Sequence, residues 1–251
     1  MNNEENKSTI RLNRYLAMCG EGARRKVEEF VAAGRVKING EIVTEPGRQV
    51  APGDRVEFDG RLIAPVKLTY LIYHKPRGLL CAVEDSREQT VIDVLPTSFD
   101  ALRLFPVGRL DRDSEGLLIL TNDGLFAQEL IHPSKGTTKT YEVELRKPLT
   151  EEKLIEWSHG VEGDVEGEKR FLKPLSVRRL GRKPLQCCFE VVLGEGVKRE
   201  IRVMARALDN DVRQLKRTKI GKLELKNLPA GEFIETSLDQ LWKYVREGHT
   251  V

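Results

Sequence analysis

Two hydrophobic periods follow one another along the chain. Leu12, Tyr15, Leu16 and Cys19 fall at i, i+3, i+4 and i+7, which predicts an amphipathic helix; Gly20 and Gly22 interrupt it. Val27, Phe30 and Val31 form the apolar face of a second short helix, which Gly34 ends. The period then drops to two. Val36 and Ile38 alternate with charged residues, Asn39-Gly40 is a tight-turn pair, and Ile42-Val43 resumes the strand, so a hairpin is expected. Pro52-Gly53-Asp54 is a further turn ahead of the alternating strand Arg55–Phe58. Two helices and a small sheet make a module over residues 10–60.

Residues 61–67 contain Pro65, lack periodicity and read as a linker to a second domain over 68–246. Leu68–Tyr73 reads as a strand that ends at the turn Lys75-Pro76-Arg77-Gly78, with Leu79–Val83 as its continuation. Gly116–Leu120 is a short apolar run of the buried-strand kind, closed by Asn122-Asp123-Gly124. In the alternating strand Lys139–Leu145, residues Tyr141, Val143 and Leu145 share one face. Thr150 followed by Glu151 and Glu152 starts a helix that runs to about His159, and Gln186–Leu193 is a further strand. Gly194-Glu195-Gly196 opens a helix from Val197 to about Asp209, with Val197, Ile201, Met204, Ala205 and Leu208 as its apolar stripe.

Composition adds limits. No apolar run approaches the roughly 20 residues of a membrane helix, and Met1–Thr9 is too polar for a secretory signal. Cys19, Cys81, Cys187 and Cys188 form no C-x-x-C pair and the four histidines no H-x-x-x-H spacing. Neither a metal site nor a disulfide framework is expected, and the cytoplasm is the expected compartment. The net charge of +3 is uninformative, but its distribution is not. Residues 10–40 hold seven basic and three acidic residues, and residues 196–226 hold ten and four. Two separated basic segments suit a long polyanion better than a small metabolite.

Candidate chemistry sits on loops and helix ends. Arg24-Arg25-Lys26 opens the second helix, where three cations oppose the helix dipole and a bound phosphate would relieve them. Asp111 and Asp113 lie on a charged loop between Gly108 and Gly116, and locally read as a solvated acidic turn. Tyr141 reads locally as a core aromatic and His132 as structural. Arg199, Arg202 and Arg206 lie opposite the apolar stripe with no acid among them, which suggests phosphates or a carboxylate nearby. Leu215–Gly221 extends this positive surface.

The segments R-L-N-R-Y-L-A, A-R-R-K, G-R-V-K-I-N-G and P-G-D-R-V resemble the RNA-binding domain named for ribosomal small-subunit protein four. Ala23 stands where that family usually has the capping serine. The rest of the chain resembles the RsuA-type pseudouridine synthases of ribosomal RNA. The likeness is carried, in order, by K-P-R-G (75–78), G-R-L-D-R-D-S-E-G-L-L (108–118), K-T-Y (139–141), E-G-V-K-R-E-I-R (195–202), L-K-R-T-K-I-G and L-P-A-G-E. It implies an α+β fold: a small N-terminal RNA-binding module and a catalytic domain on a mixed, mainly antiparallel sheet flanked by helices.

The resemblance also implies roles. Asp111 matches the essential aspartate, Tyr141 the tyrosine that stacks on the target base, and Arg202 the arginine that pairs with the aspartate. Arg109 is given a positioning role. Arg11, Arg14, Arg24, Arg25, Lys26, Lys37, Arg199 and Arg206 are expected to bind RNA. The motif usually carries Gln at Glu200 and Arg at Val203, so the departures are expected to remove RNA-facing polarity or add negative charge. The implied reaction breaks the C1′–N1 bond of uridine, turns the base and joins C5 to C1′. It is redox-neutral, so no cofactor is expected. An opposing arginine would keep the aspartate charged. Asp111 would attack C1′ or remove a sugar proton.

Ribosomal RNA is the expected partner, large-subunit before small-subunit, with no membrane and with a monomeric enzyme. A non-catalytic RNA-binding protein on the same scaffold is the competing reading. A glycosidase using Asp111 and Asp113 would leave the basic segments unexplained.

Overall fold

The computed structural model describes residues 9–181 and 186–251, which divide into two compact units: residues 9–68 with 97–103, and 69–96 with 104–251. In the first unit, helices α1 (Leu12–Met18) and α2 (Arg24–Ala32) bury Leu12, Leu16, Val27 and Val31 completely. Each such side chain stabilises the unit by about 1.5–3 kcal/mol. They pack with Val36, Ile38, Val56 and Phe58 from a sheet of β2 (Val36–Ile38), β3 (Glu41–Val43), β5 (Val56–Phe58) and β6 (Arg61–Leu62), in the order β3-β2-β5-β6. The strands β1 (Ile10–Arg11) and β4 (Gln49–Val50) pair separately. Asn39 and Gly40 both adopt positive φ, as the two-residue hairpin turn requires. Ala23 makes no side-chain cap to α2. The segment read as a linker is structured at its start. Arg61–Leu62 pairs with β5, and Ile63 is buried in the same core.

The second unit is built on a mixed, mostly antiparallel sheet. Its main path runs β13 (Ser176–Arg179), β14 (Cys188–Leu193), β10 (Lys139–Leu145), β15 (Val212–Ile220), β9 (Glu115–Thr121), β7 (Tyr70–Lys75) and β17 (Phe233–Thr236). Along this path only β15 and β9 are parallel. The short strands β8 (Phe105–Val107), β16 (Leu223–Glu224) and β18 (His249–Thr250) complete it, and β11 (Val161–Val165) and β12 (Glu168–Leu172) form a separate hairpin. One apolar cluster joins β10 and β14 to α4 (Glu151–His159) and α5 (Glu200–Ala207). Another joins β7 and β9 to α3 (Gly124–Ile131) and α6 (Leu238–Glu247). No described helix is long and apolar enough to cross a membrane.

Three local expectations change. Leu79–Val83 makes no strand, only an isolated bridge from Leu80 to Thr90, because its main chain turns to bond Gln89 and Val91 instead. Gly124 begins a helix rather than merely closing β9, because the Asp123 carboxylate accepts from the Leu125 and Phe126 N–H groups. The helix expected from Val197 starts at Glu200. Arg199 stands at its N-cap in the left-handed region at φ 54°, which turns the chain sharply.

Candidate active site

The loop carrying Asp111 links β8 to β9 and is held from beneath by two buried cations. Lys75, at the end of β7, is fully buried. Its Nζ donates to the carbonyls of Ser114 at 2.9 Å, Pro76 at 3.0 Å, Asp111 at 3.2 Å and Arg112 at 3.4 Å. Burial pulls its pKa below the ordinary lysine value, while Cys81, Asp113 and Asp111 act against that. Arg217 of β15, also buried, donates from Nε to the Leu117 carbonyl at 2.7 Å and from Nη1 to that of Arg109 at 3.4 Å. The main chain from 109 to 114 thus turns its carbonyls onto cations, and charge-assisted bonds fix its path. The sequence reading placed Arg217 on a positive surface; register decides otherwise, because it lies opposite Gly116 on the adjoining parallel strand.

Gly116 explains the second glycine of the loop motif. It has φ 124°, and a β-carbon there would overlap the main-chain N and O of Arg217. Only glycine lets β9 approach β15 this closely.

Above the loop, Asp111, Asp113, Arg199 and Arg202 form one ionic cluster. Asp111 Oδ2 lies 3.5 Å from both Arg199 Nη1 and Arg202 Nε. Asp113 Oδ2 lies 2.9 Å from Arg202 Nη2 and 3.9 Å from Arg199 Nη2. Arg202 also donates from Nη1 to the Val212 carbonyl at 3.2 Å. It was expected on the face of α5 opposite the apolar stripe, yet it is 8% exposed. The two carboxylates make that burial tolerable. Burial still pulls its pKa down, against the opposing pull of Asp113 and Asp111.

Asp111, Arg109, Tyr141, Arg199 and Glu200 line one cavity that opens to solvent. Tyr141 reaches it from β10, where the pairing with β15 shifts register between Thr140 and Tyr141. Such a bulge re-aims the side chain that follows it. Tyr141 is both part of the apolar cluster and part of the cavity wall.

The expected RNA contacts do not gather here as a set. Arg206 is exposed, lies 3.8 Å from Asp211 and lines a separate groove with Arg146 and Lys147. With the helix starting at Glu200, the three arginines no longer share one face. In the N-terminal unit Arg11, Arg25, Lys26 and Lys37 are exposed and Arg14 is half-buried. Lys26 pairs with Glu29 at 2.7 Å. The side chain of Arg24 lies outside the described part of the structure. The two departures are also relocated: Glu200 is 3% and Val203 9% exposed, so neither presents a side chain to bulk solvent. Val203 packs against Gly163, where a β-carbon would overlap it. Sequence reasoning missed Lys75 and Arg217 as anchors. The signal for Lys75 was a charged residue ending a run of apolar strand positions, inside K-P-R-G.

Comparison with known proteins decides the family. The family model described as RNA pseudouridylate synthase matches residues 69–207. The chain belongs to the RNA pseudouridylate synthases. The S4 domain model matches residues 10–56 of this pseudouridine synthase. It is 33% identical over 222 residues to the ribosomal large subunit pseudouridine synthase B of Bacillus subtilis, covering 88% of this chain and 90% of that one. It is likewise 33% identical over 237 residues to the dual-specificity RNA pseudouridine synthase RluF of Escherichia coli, covering 93% and 78%. A crystal structure of a pseudouridylate synthase superposes with a TM-score of 0.65 at 28% identity, covering 93% of this chain and 99% of that one. The RsuA-type resemblance read from the motifs therefore stands.

Proposed function

We propose that this synthase isomerises a uridine of ribosomal RNA, large-subunit RNA first, with Asp111 as the reacting group and without a cofactor. The observation that carries the reading is the placement of Asp111. Its carboxylate faces two guanidiniums at 3.5 Å, at the wall of a cavity that Tyr141 shares. Arg202, the more buried of the two, holds the carboxylate; Arg199, which pairs with it at the same distance, is half-exposed and can also meet an RNA phosphate. A uridine turned out of its stack meets the Tyr141 ring with its face and Asp111 with its sugar. Attack by the carboxylate on C1′ breaks C1′–N1, and the bond electrons leave with the uracil. Removal of the C2′ proton by the same carboxylate gives the alternative route. In the first route C5 displaces the carboxylate from C1′; in the second C5 adds to C1′ while the Asp111 carboxylic acid returns the proton to C2′; in both C5 then gives up its own proton. Arg11, Arg14, Arg24, Arg25, Lys26 and Lys37 bind RNA phosphates and supply affinity rather than choice of site. The name of the Bacillus subtilis relative supports the large subunit as first choice.

The test is tritium release from C5-labelled transcripts of each ribosomal RNA, with wild type and Asp111→Asn. Release by wild type alone, from the large-subunit transcript, is the expected result. Release from the small-subunit transcript alone moves the target. Equal release by both proteins overturns the role of Asp111, and no release with intact RNA binding favours a non-catalytic RNA-binding protein. Deuterium at C2′ separates the two routes: a primary isotope effect marks proton removal, its absence attack on C1′.

A further inference from the structure

Glu200 occupies an unusual place. It opens α5 beside the N-cap Arg199, lines the cavity shared by Asp111 and Tyr141, and is 3% exposed. Its Oε2 accepts from the Val197 N–H at 3.3 Å. Its Oε1 is buried and meets no donor among the described residues, and the carboxyl beside it, that of Glu195, can bond Glu200 only when one of the two is protonated. A buried polar atom left unpaired costs about 1–3 kcal/mol, so one kept in a binding cavity calls for a ligand that completes it.

We propose that Glu200 binds the imide edge of the target uracil, accepting from N3–H and donating to the adjoining carbonyl. A carboxylic acid carries one donor beside one acceptor, the complement of N3–H next to C2=O or C4=O. The reaction itself gives this edge a special value. Exchanging N1 for C5 at the sugar turns the ring about the axis through N3 and C6. That turn leaves N3–H where it was and swaps the two carbonyls. One acid at this edge therefore holds the base before and after the turn, while the Tyr141 ring keeps it in plane. The inference rests on the family's reaction and not on which RNA is the substrate.

The surroundings favour the acid form. Burial, then the nearby Glu195, push the Glu200 carboxyl up to about 7; the Val197 N–H and Lys139 pull it the other way. Arg109, Arg199 and Asp111 are the other charged groups on the cavity wall. Lys139 is itself held below the ordinary lysine value by burial and by Arg217.

The test uses uridine 5′-monophosphate as probe, so it does not depend on ribosomal RNA. In carbon-13 carboxyl NMR, the resonance missing from Glu200→Gln is that of Glu200. Its saturable shift with the probe is expected. N3-methylation of the probe is expected to weaken binding about fivefold to wild type, the worth of one hydrogen bond, and less than about twofold to Glu200→Ala. Binding to wild type weakens as pH rises through neutrality, whereas Glu200→Gln, whose amide keeps a donor and an acceptor, shows no such fall. A resonance unmoved by the probe, or an N3-methyl penalty equal in wild type and Glu200→Ala, overturns the proposal. Glu200→Gln retains the shape of the side chain, so the pH comparison stands even if Glu200→Ala fails to fold.

Discussion

Arg202 meets Asp113 through Nη2 at 2.9 Å, closer than the 3.5 Å between its Nε and Asp111. The exposed aspartate takes the short ion pair, and Asp111, the proposed reacting group, keeps two longer ones. Asp113 thereby balances Arg202 without tying up Asp111. Asp113→Asn removes that balance and lets the guanidinium close on Asp111. A fall in kcat of about tenfold, with KM for RNA changed much less, is the expected outcome in single-turnover kinetics.

Arg202→Met tests the cation itself. It strips the Val212 carbonyl and both aspartates of a partner in a site the methionine stem still fills. A stability loss of about 1–3 kcal/mol is expected from urea unfolding at pH 7, together with loss of isomerisation.

Lys75→Met removes the donor to four carbonyls, those of Asp111 and Ser114 among them, while Lys75 itself is not part of the cavity wall. Stability is expected to fall by about 3 kcal/mol or more, since several buried acceptors lose their partner at once. The folded remainder, studied below its unfolding temperature, should show a lower kcat at unchanged RNA affinity. A drop in affinity alone would contradict the anchoring role.

Gly116→Ala is expected to be among the most damaging single substitutions in the chain. The added carbon meets main-chain atoms of Arg217 that cannot move without breaking the sheet, and φ 124° is strained for alanine. A loss above about 4 kcal/mol follows. Gly47→Ala, where a β-carbon meets nothing within 4 Å, serves as control and should leave the melting temperature nearly unchanged.

Glu115 is a partly buried contributor to acid stability. Burial pushes the Glu115 carboxyl up, but Lys216 at 3.2 Å and His74 at 3.2 Å outweigh it and set its folded pKa below the ordinary 4.5. A depressed carboxyl stabilises the fold above its unfolded pKa, and that contribution disappears as pH falls through the folded value. Thermal unfolding of wild type and Glu115→Gln should therefore differ at pH 7 and converge below about pH 4.

Local elements were readable from the chain because their causes are local. The Asn39-Gly40 turn needs two positive φ angles, and Thr150 caps α4 through its own side chain. The alternating face of Tyr141, Val143 and Leu145 was read for the same reason and is buried as expected. Long-range causes were not readable. Arg217 looked like surface charge because only its register against Gly116, 101 positions earlier, buries it. The left-handed Arg199 broke the expected helix although nothing in its own residue type favours that conformation. The candidate site was legible through resemblance: Asp111, Tyr141 and Arg202 converge, while local reading alone took Asp111 for a solvated turn and Tyr141 for core.

The anchoring of residues 109–114 through main-chain oxygens has a consequence for how such enzymes diversify. Every residue type offers the same carbonyl, so the anchors are indifferent to what is mounted at each position. Arg112 is exposed and pairs with Glu88 at 2.8 Å, and Arg109 is exposed at the cavity. Both side chains can be exchanged while the backbone beneath Asp111 keeps its course. The side chains at these two positions can therefore vary, in nature or in a selection experiment, with Asp111 staying in register.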